Sequence, residues 1–190
     1  HANQADQVPR QLLDLNAVSR EVVLQYLPLA HEKQQDLGWV QATNEQGHEV
    51  EVPVSGNEAE LHEALSNLVH NAIHYAPVGA RITVSVGRHG DRAEVAVSDN
   101  GPGLDPDLRA RAFARFERVG TDKPVTSSGS GLGLAIARAY ARRNDGDIDL
   151  RDGEPNAQGG VGLASVVWLP LAATVSQYPR PAEVPFTGDQ

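Results

Sequence analysis

The sequence predicts an α+β two-layer sandwich, in which a mixed, mostly antiparallel sheet of about five strands packs against three main helices. Three observations lead to it. Segments with apolar residues at helical spacing interleave with segments that alternate at a period of two. A tight H-G-D turn joins the alternating segments 81–87 and 92–98 and pairs them antiparallel. A length of 190 residues with 40% hydrophobic content suits one buried core, and no repeat at a fixed period divides the chain.

Residues 1–15 are polar, contain Pro9, and read as a linker or the frayed end of a preceding helix. From Asn16 to about Asp36, the residues Val18, Val22, Tyr26 and Leu29 recur at helical spacing, with Pro28 as a kink or break between two shorter helices. Residues 37–42 and 48–54 read as a hairpin around N-E-Q-G, the second strand alternating through Val50, Val52 and Val54. Ser55 or Asn57 caps a helix from about Glu58 to Tyr75, which Pro77 stops. In the next two strands Ile82, Val84 and Val86, then Ala93, Val95 and Val97, share single faces. Asp105 followed by Pro106 opens a helix over 106–116. The stretch 119–130 lacks periodicity, 132–143 is helical, and strands near 147–151 and 161–169 complete the fold. Residues 171–190 carry three prolines and read as a disordered tail.

Composition narrows the chemistry. With 16 Lys plus Arg against 25 Asp plus Glu, the formal charge is -9 and no basic face for nucleic acid stands out. The absence of cysteine removes disulfides, thiolate zinc sites and Cys nucleophiles, and it fits a reducing compartment. No apolar run approaches the roughly 18 residues of a membrane span, and the opening HANQADQVPRQ has no signal-peptide core. A soluble piece without direct membrane contact is expected. Its start, with neither Met nor a domain boundary, reads as a fragment of a longer chain.

Three segments carry ligand-compatible chemistry. On the helix 58–75, Leu61, Leu65, Leu68 and Ala72 share one face, while Glu63, Asn67, His70, Asn71 and His74 gather on the other. A solvated polar face is one reading. The other starts from two asparagines in a helix interior, where Asn is a mediocre helix former, and from the suitability of amide oxygens for a hard cation such as Mg²⁺. His70 and His74 also form an H-x-x-x-H pair, but Asn71 stands where a zinc hydrolase would need its Glu, and no third ligand is evident. The second segment is DNGPGL at 99–104, which is either a good turn or a strand-end carboxylate beside two glycines that let a flat ligand approach the backbone. The third is GSGLGLAIAR at 129–138, a helix cap or linker on one reading and a set of backbone N–H groups for polyphosphate on the other. It is neither a G-x-x-x-x-G-K-[ST] loop nor a G-x-G-x-x-G turn.

NLVHNAIHYAP at 67–77, DNGPGL at 99–104, FARFERV at 113–119, GSGLGLAIAR at 129–138 and GGVGLASVVWLP at 159–170 resemble, in order and spacing, the N, G1, F and G2 boxes and closing strand of bacterial sensor histidine kinases. The resemblance covers about residues 12–170. It implies the catalytic, ATP-binding domain of such a kinase, with the Bergerat (GHKL) fold shared with gyrase, Hsp90 and MutL. Residues 1–15 would then be the remnant of a dimerisation helix, 16–170 the catalytic domain and 171–190 the tail.

The resemblance also implies roles. Asn71 looks like the Mg²⁺ ligand, with Asn67 supporting metal and phosphates, Tyr75 stacking on adenine and His74 reaching the phosphates. Asp99 would bind the adenine amine, framed by Gly101 and Gly103. Arg115 and Arg118 would contact phosphate. Residues 119–130 would form an ATP lid, with Gly129, Ser130, Gly131, Leu132 and Gly133 presenting N–H groups as it closes. Hydrolysing relatives carry a Glu four residues before the metal-binding Asn; here Asn67 cannot take a proton, which favours phosphoryl transfer over hydrolysis or an ATP-driven conformational switch. The phosphoacceptor histidine is expected on a separate dimerisation domain of a homodimer, since His31 lacks the Pro of that motif and sits on the first helix. A response regulator is the implied onward partner, and the cytoplasmic side of a bacterial inner-membrane sensor the implied location.

Overall fold

The computed structural model describes residues 9–117 and 132–173, with 114–117 and 132 described in backbone only. Along the chain run β1 (Gln11–Asp14), α1 (Leu15–Glu32), β2 (Asp36–Val40), β3 (Pro53–Gly56), α2 (Glu58–Tyr75), β4 (Arg81–His89), β5 (Arg92–Asp99), α3 (Pro106–Glu117), α4 (Leu132–Arg143), β6 (Asp147–Pro155) and β7 (Val161–Pro170). Five strands form one sheet in the order β2-β4-β5-β7-β6, and β1 pairs with β3 in a separate two-stranded sheet. Only β2 and β4 run parallel in the main sheet; its other pairs are antiparallel, as the expected mixed sheet requires.

The period-two pattern becomes one buried face. Ile82, Val84 and Val86 on β4 and Ala93, Val95 and Val97 on β5 meet buried residues of α1, α2 and α4, with α2 packed against both other helices. Among the described residues, no helix is long and apolar enough to cross a membrane.

Four expectations need correction. Residues 11–14, read as linker, form β1, whose Asp14 caps α1 by accepting from the Asn16 N–H. Pro28 does not break α1. Its missing donor would have served the carbonyl of Leu24, and both residues are exposed, so water can take the place of the lost bond. The helix ends at Glu32 instead of Asp36 because Gln34 adopts φ 53° and the Gln35 N–H returns to the Ala30 carbonyl. The hairpin of 37–42 with 48–54 is reduced to a loop. Its Asn44 turn survives, with an isolated Thr43–Glu49 bridge, while β2 joins β4 and β3 joins β1.

The buried side chain of Asn16 holds that divergence open: Oδ1 accepts from the Ala42 N–H at 3.0 Å and Nδ2 donates to the Val50 carbonyl at 2.8 Å. Asn16→Ala strands both backbone groups. We expect a loss of about 2 to 3 kcal/mol in urea denaturation, since each unmet buried group costs roughly 1 to 3 kcal/mol. A loss below about 0.5 kcal/mol would mean that water serves the gap as well as the amide does.

Candidate functional site

The polar stripe on α2 is split by its surroundings. Asn57 caps the helix, accepting from the Glu60 N–H at 2.9 Å, and Leu61, Leu65, Leu68, Val69 and Ile73 bury the inner face. Glu63, His70 and His74 stay exposed, whereas Asn67 and Asn71 are half-buried at the edge facing the start of α4. There α4 approaches so closely that a Cβ on Gly133 would lie 3.2 Å from Asn71 Oδ1 and 3.4 Å from Asn67 Cβ. Gly133 therefore keeps the first turn of α4 against both amides. Asn67 Nδ2 is buried with no hydrogen-bond partner among the described residues, where such unmet donors are rare. An unmet amide donor beside an amide oxygen, at the N-terminal end of a helix, is a donor set suited to phosphate oxygens and a hard cation. Among the described residues, no cluster of three His, Asp or Glu that could hold a metal forms around His70 and His74.

Asp99 ends β5 on the face that carries Ala93, Val95 and Val97, so the core stripe terminates in a carboxylate only 8% exposed. Its Oδ1 accepts from the Gly101 N–H at 2.9 Å and the Leu163 N–H at 3.3 Å. Among the described residues both bonds land on that one oxygen and no cation pairs with the group, which leaves Oδ2 for a ligand. Burial pushes the Asp99 carboxyl above the ordinary range, the two N–H bonds offset part of the rise, and the charge of Glu154 adds to it. Gly103 has φ 75°, and a Cβ there would collide with the Val161 carbonyl. Gly101 lies against Ala76 and Pro77, just past α2, and the Asn156 Nδ2 donates to its carbonyl at 3.0 Å.

Two residues without an assigned role prove essential to this corner. A Cβ on Gly153 would lie 2.6 Å from the Asp99 carbonyl oxygen, and one on Gly162 would collide with the same atom. Gly162 lies within the closing-strand resemblance, so the signal was present; Gly153 had none. Asn71 and Ala76 are five residues apart, about 7.5 Å along a helix, so α2 itself joins the amide pair to the Asp99 loop. Tyr75 is 53% exposed and His74 meets it edge-on at 5.1 Å. Leu132 opens α4 in backbone only. The Arg115 side chain, Arg118, Gly129, Ser130, Gly131 and the expected lid at 119–130 lie outside the described residues. A polar cleft of about 660 Å³ between Arg10, Glu21, His62 and Glu63 sits at the other end of α2, and none of the candidate residues lines it.

The family described as histidine kinase-, DNA gyrase B- and HSP90-like ATPase matches residues 56–173. The sensor-like histidine kinase SenX3 of Mycobacterium tuberculosis is 43% identical over 125 residues, covering 66% of this chain and 29% of SenX3. The catalytic domain of histidine kinase ThkA superposes with a TM-score of 0.68 at 22% identity, covering 86% of this chain and 99% of that domain. ThkA has also been solved with the response regulator protein TrrA. Full-length ShkA in complex with AMPPNP gives a TM-score of 0.69 at 25% identity, covering 88% of this chain and 32% of ShkA. The chain spans less than half the length of the curated relatives it matches.

Asp99→Asn separates recognition from stability. Because the folded-state pKa is raised, the ionised carboxylate disfavours folding near neutrality, and that penalty fades as the pH falls through the carboxylate range. The amide keeps an acceptor for Gly101 and Leu163 without the charge. We expect apo Asp99→Asn to melt above the wild type at pH 7 and the gap to narrow as the pH falls through the carboxylate range. A lower melting temperature at pH 7 would contradict the assignment.

Proposed function

Since the chain belongs to the histidine kinase-, DNA gyrase B- and HSP90-like ATPase family, we propose that it is the catalytic domain of a sensor histidine kinase. It would place Mg-ATP for attack by a histidine on a separate dimerisation domain of a homodimer. The buried Asp99 carboxylate at the end of β5, with no cation beside it among the described residues, carries the reading, because an acceptor at the bottom of a glycine-lined corner suits the exocyclic amine of adenine.

Each residue has a task, which among the described residues its surroundings support. Asp99 accepts from the adenine amine while Gly101 and Gly103 let the ring lie near the backbone. Tyr75, largely exposed beside the α2 terminus, stacks on it. Asn71 offers its amide oxygen to Mg²⁺, the unmet Asn67 donor meets phosphate, and His74 reaches the phosphates from the next turn. Arg115 and Arg118 add positive charge, and Gly129, Ser130, Gly131, Leu132 and Gly133 present N–H groups to the polyphosphate as residues 119–130 close over it. When bound, Mg²⁺ would neutralise charge on the transferring phosphoryl group; this chain holds the nucleotide and aligns it, which is most of what such a transfer needs.

Asn67 decides the outcome of the reaction. An amide cannot accept a proton from water, so Asn67 cannot serve as the base that a hydrolase carries at this position. The phosphoryl group would pass to histidine and then to a response regulator, the class of protein with which ThkA has been solved in complex. A location on the cytoplasmic side of a bacterial inner membrane follows from this role.

The test supplies the chain with labelled Mg-ATP and a histidine-bearing dimerisation domain. Label should move to the histidine while free phosphate release stays slow. Asn71→Ala should lower transfer at least a hundredfold and keep the fold by circular dichroism, since a positioned metal supplies several kcal/mol to charge neutralisation. Rapid phosphate release without transfer, or unchanged transfer in Asn71→Ala, would overturn the proposal.

A further inference from the structure

The end of α2 is held from outside the recognised motifs. α1 stops at Glu32, and the left-handed Gln34 turns the chain so that Lys33 and Gln35 both reach the last turn of α2. Lys33 Nζ donates to the carbonyls of Ile73 at 2.6 Å, His74 at 3.2 Å and Ala76 at 3.0 Å. Gln35 Nε2 donates to Ile73 and Ala76, both at 3.0 Å, and to Pro77 at 3.4 Å. A helix leaves its last carbonyls without partners, and the negative end of its dipole faces outward there. One ammonium and one buried amide meet both demands.

This clamp sits where the two halves of the site join. Asn71 lies one turn before it, His74 and Tyr75 lie within it, and Ala76 with Pro77 lies against Gly101 of the Asp99 loop. The rest of α2 is fixed independently by its buried face and its Asn57 cap. Lys33 itself is half-buried outside the hydrophobic core, and all three of its side-chain bonds go to the site end of the helix.

We propose that Lys33 is a positioning residue for nucleotide binding, holding the last turn of α2 so that His74, Tyr75 and the Gly101 loop face one ligand together. The proposal rests on the nucleotide reading above. Loss of the ammonium leaves the core and both sheets in place, frees the His74 carbonyl to seek water and leaves the Ile73 and Ala76 carbonyls to the Gln35 amide alone, which loosens the turn that carries the ligand contacts.

The experiment measures Mg-ADP affinity by calorimetry on the wild-type chain, Lys33→Met, Lys33→Arg and the remote Asn16→Ala. Lys33→Met should bind about tenfold more weakly, since hydrogen bonds from a charged group are among the strong ones and small displacements at a site are costly. Lys33→Arg, which keeps charge and several donors, should recover to within about threefold. Asn16→Ala should bind like the wild type although it melts lower. If Lys33→Met does not fold, Lys33→Gln takes its place, with about threefold weakening expected from the retained donor. Wild-type affinity in the Met or Gln variant would overturn the proposal, as would an equal loss in Asn16→Ala, which would tie affinity to global stability. A wild-type chain that binds no Mg-ADP would overturn the nucleotide reading, and this proposal with it, by a separate signature.

Discussion

The backbone around Asp99 is packed so tightly that neither Gly153 of β6 nor Gly162 of β7 has room for a side-chain carbon against its carbonyl. That crowding fixes where β5 ends, and hence where the Asp99 carboxylate sits. Its Oδ1 is tied to the N–H groups of Gly101 and Leu163, one from the loop that follows and one from the neighbouring strand. A ligand arriving at the second oxygen meets an acceptor whose position was set by sheet geometry before it came, so little ordering remains to be done on binding.

The price of that preorganisation is a carboxylate buried with no cation beside it among the described residues, held above its usual pKa by loss of water. The unmet Asn67 donor is a second local cost, about two and a half helical turns from the Ala76 contact with Gly101. Both lie on elements otherwise held by a continuous core of α1, α2, α4 and the sheet. Unfavourable local terms of this kind tend to gather at functional sites, where ligand contacts offset them. The same logic explains why α2 is clamped at one end by Lys33 and Gln35 and at the other by Asn57: the helix spans both parts of the site and must keep them in register.

Much of this was legible in the sequence because the signals were local. The period of Leu61, Leu65 and Leu68 marked α2, the alternation of Ile82 to Val86 and Ala93 to Val97 marked β4 and β5, and the glycine spacing marked the Asp99 loop and the start of α4. What failed was long-range. β1 is only four residues long with Leu12 exposed, so no periodicity announced it. The parallel union of β2 with β4 joins segments some forty residues apart, and the nearby N-E-Q-G turn pointed instead to a hairpin. Pro28 misled because its cost depends on whether water reaches the Leu24 carbonyl, a property of exposure that the sequence does not state. Gly153, Lys33 and Gln35 matter through partners more than thirty residues away, which no local pattern encodes.

The most direct test of the account is the thermal shift of this chain with ADP, with and without Mg²⁺, against GDP. At about 100 times the dissociation constant, linkage gives roughly 2.7 kcal/mol, or on the order of 5 to 10 °C for a domain of this size. A Mg²⁺-enhanced shift is expected with ADP and almost none with GDP, whose ring carries a carbonyl oxygen where adenine carries the amine proposed to face Asp99. Equal shifts for the two nucleotides, or none for either, would contradict it.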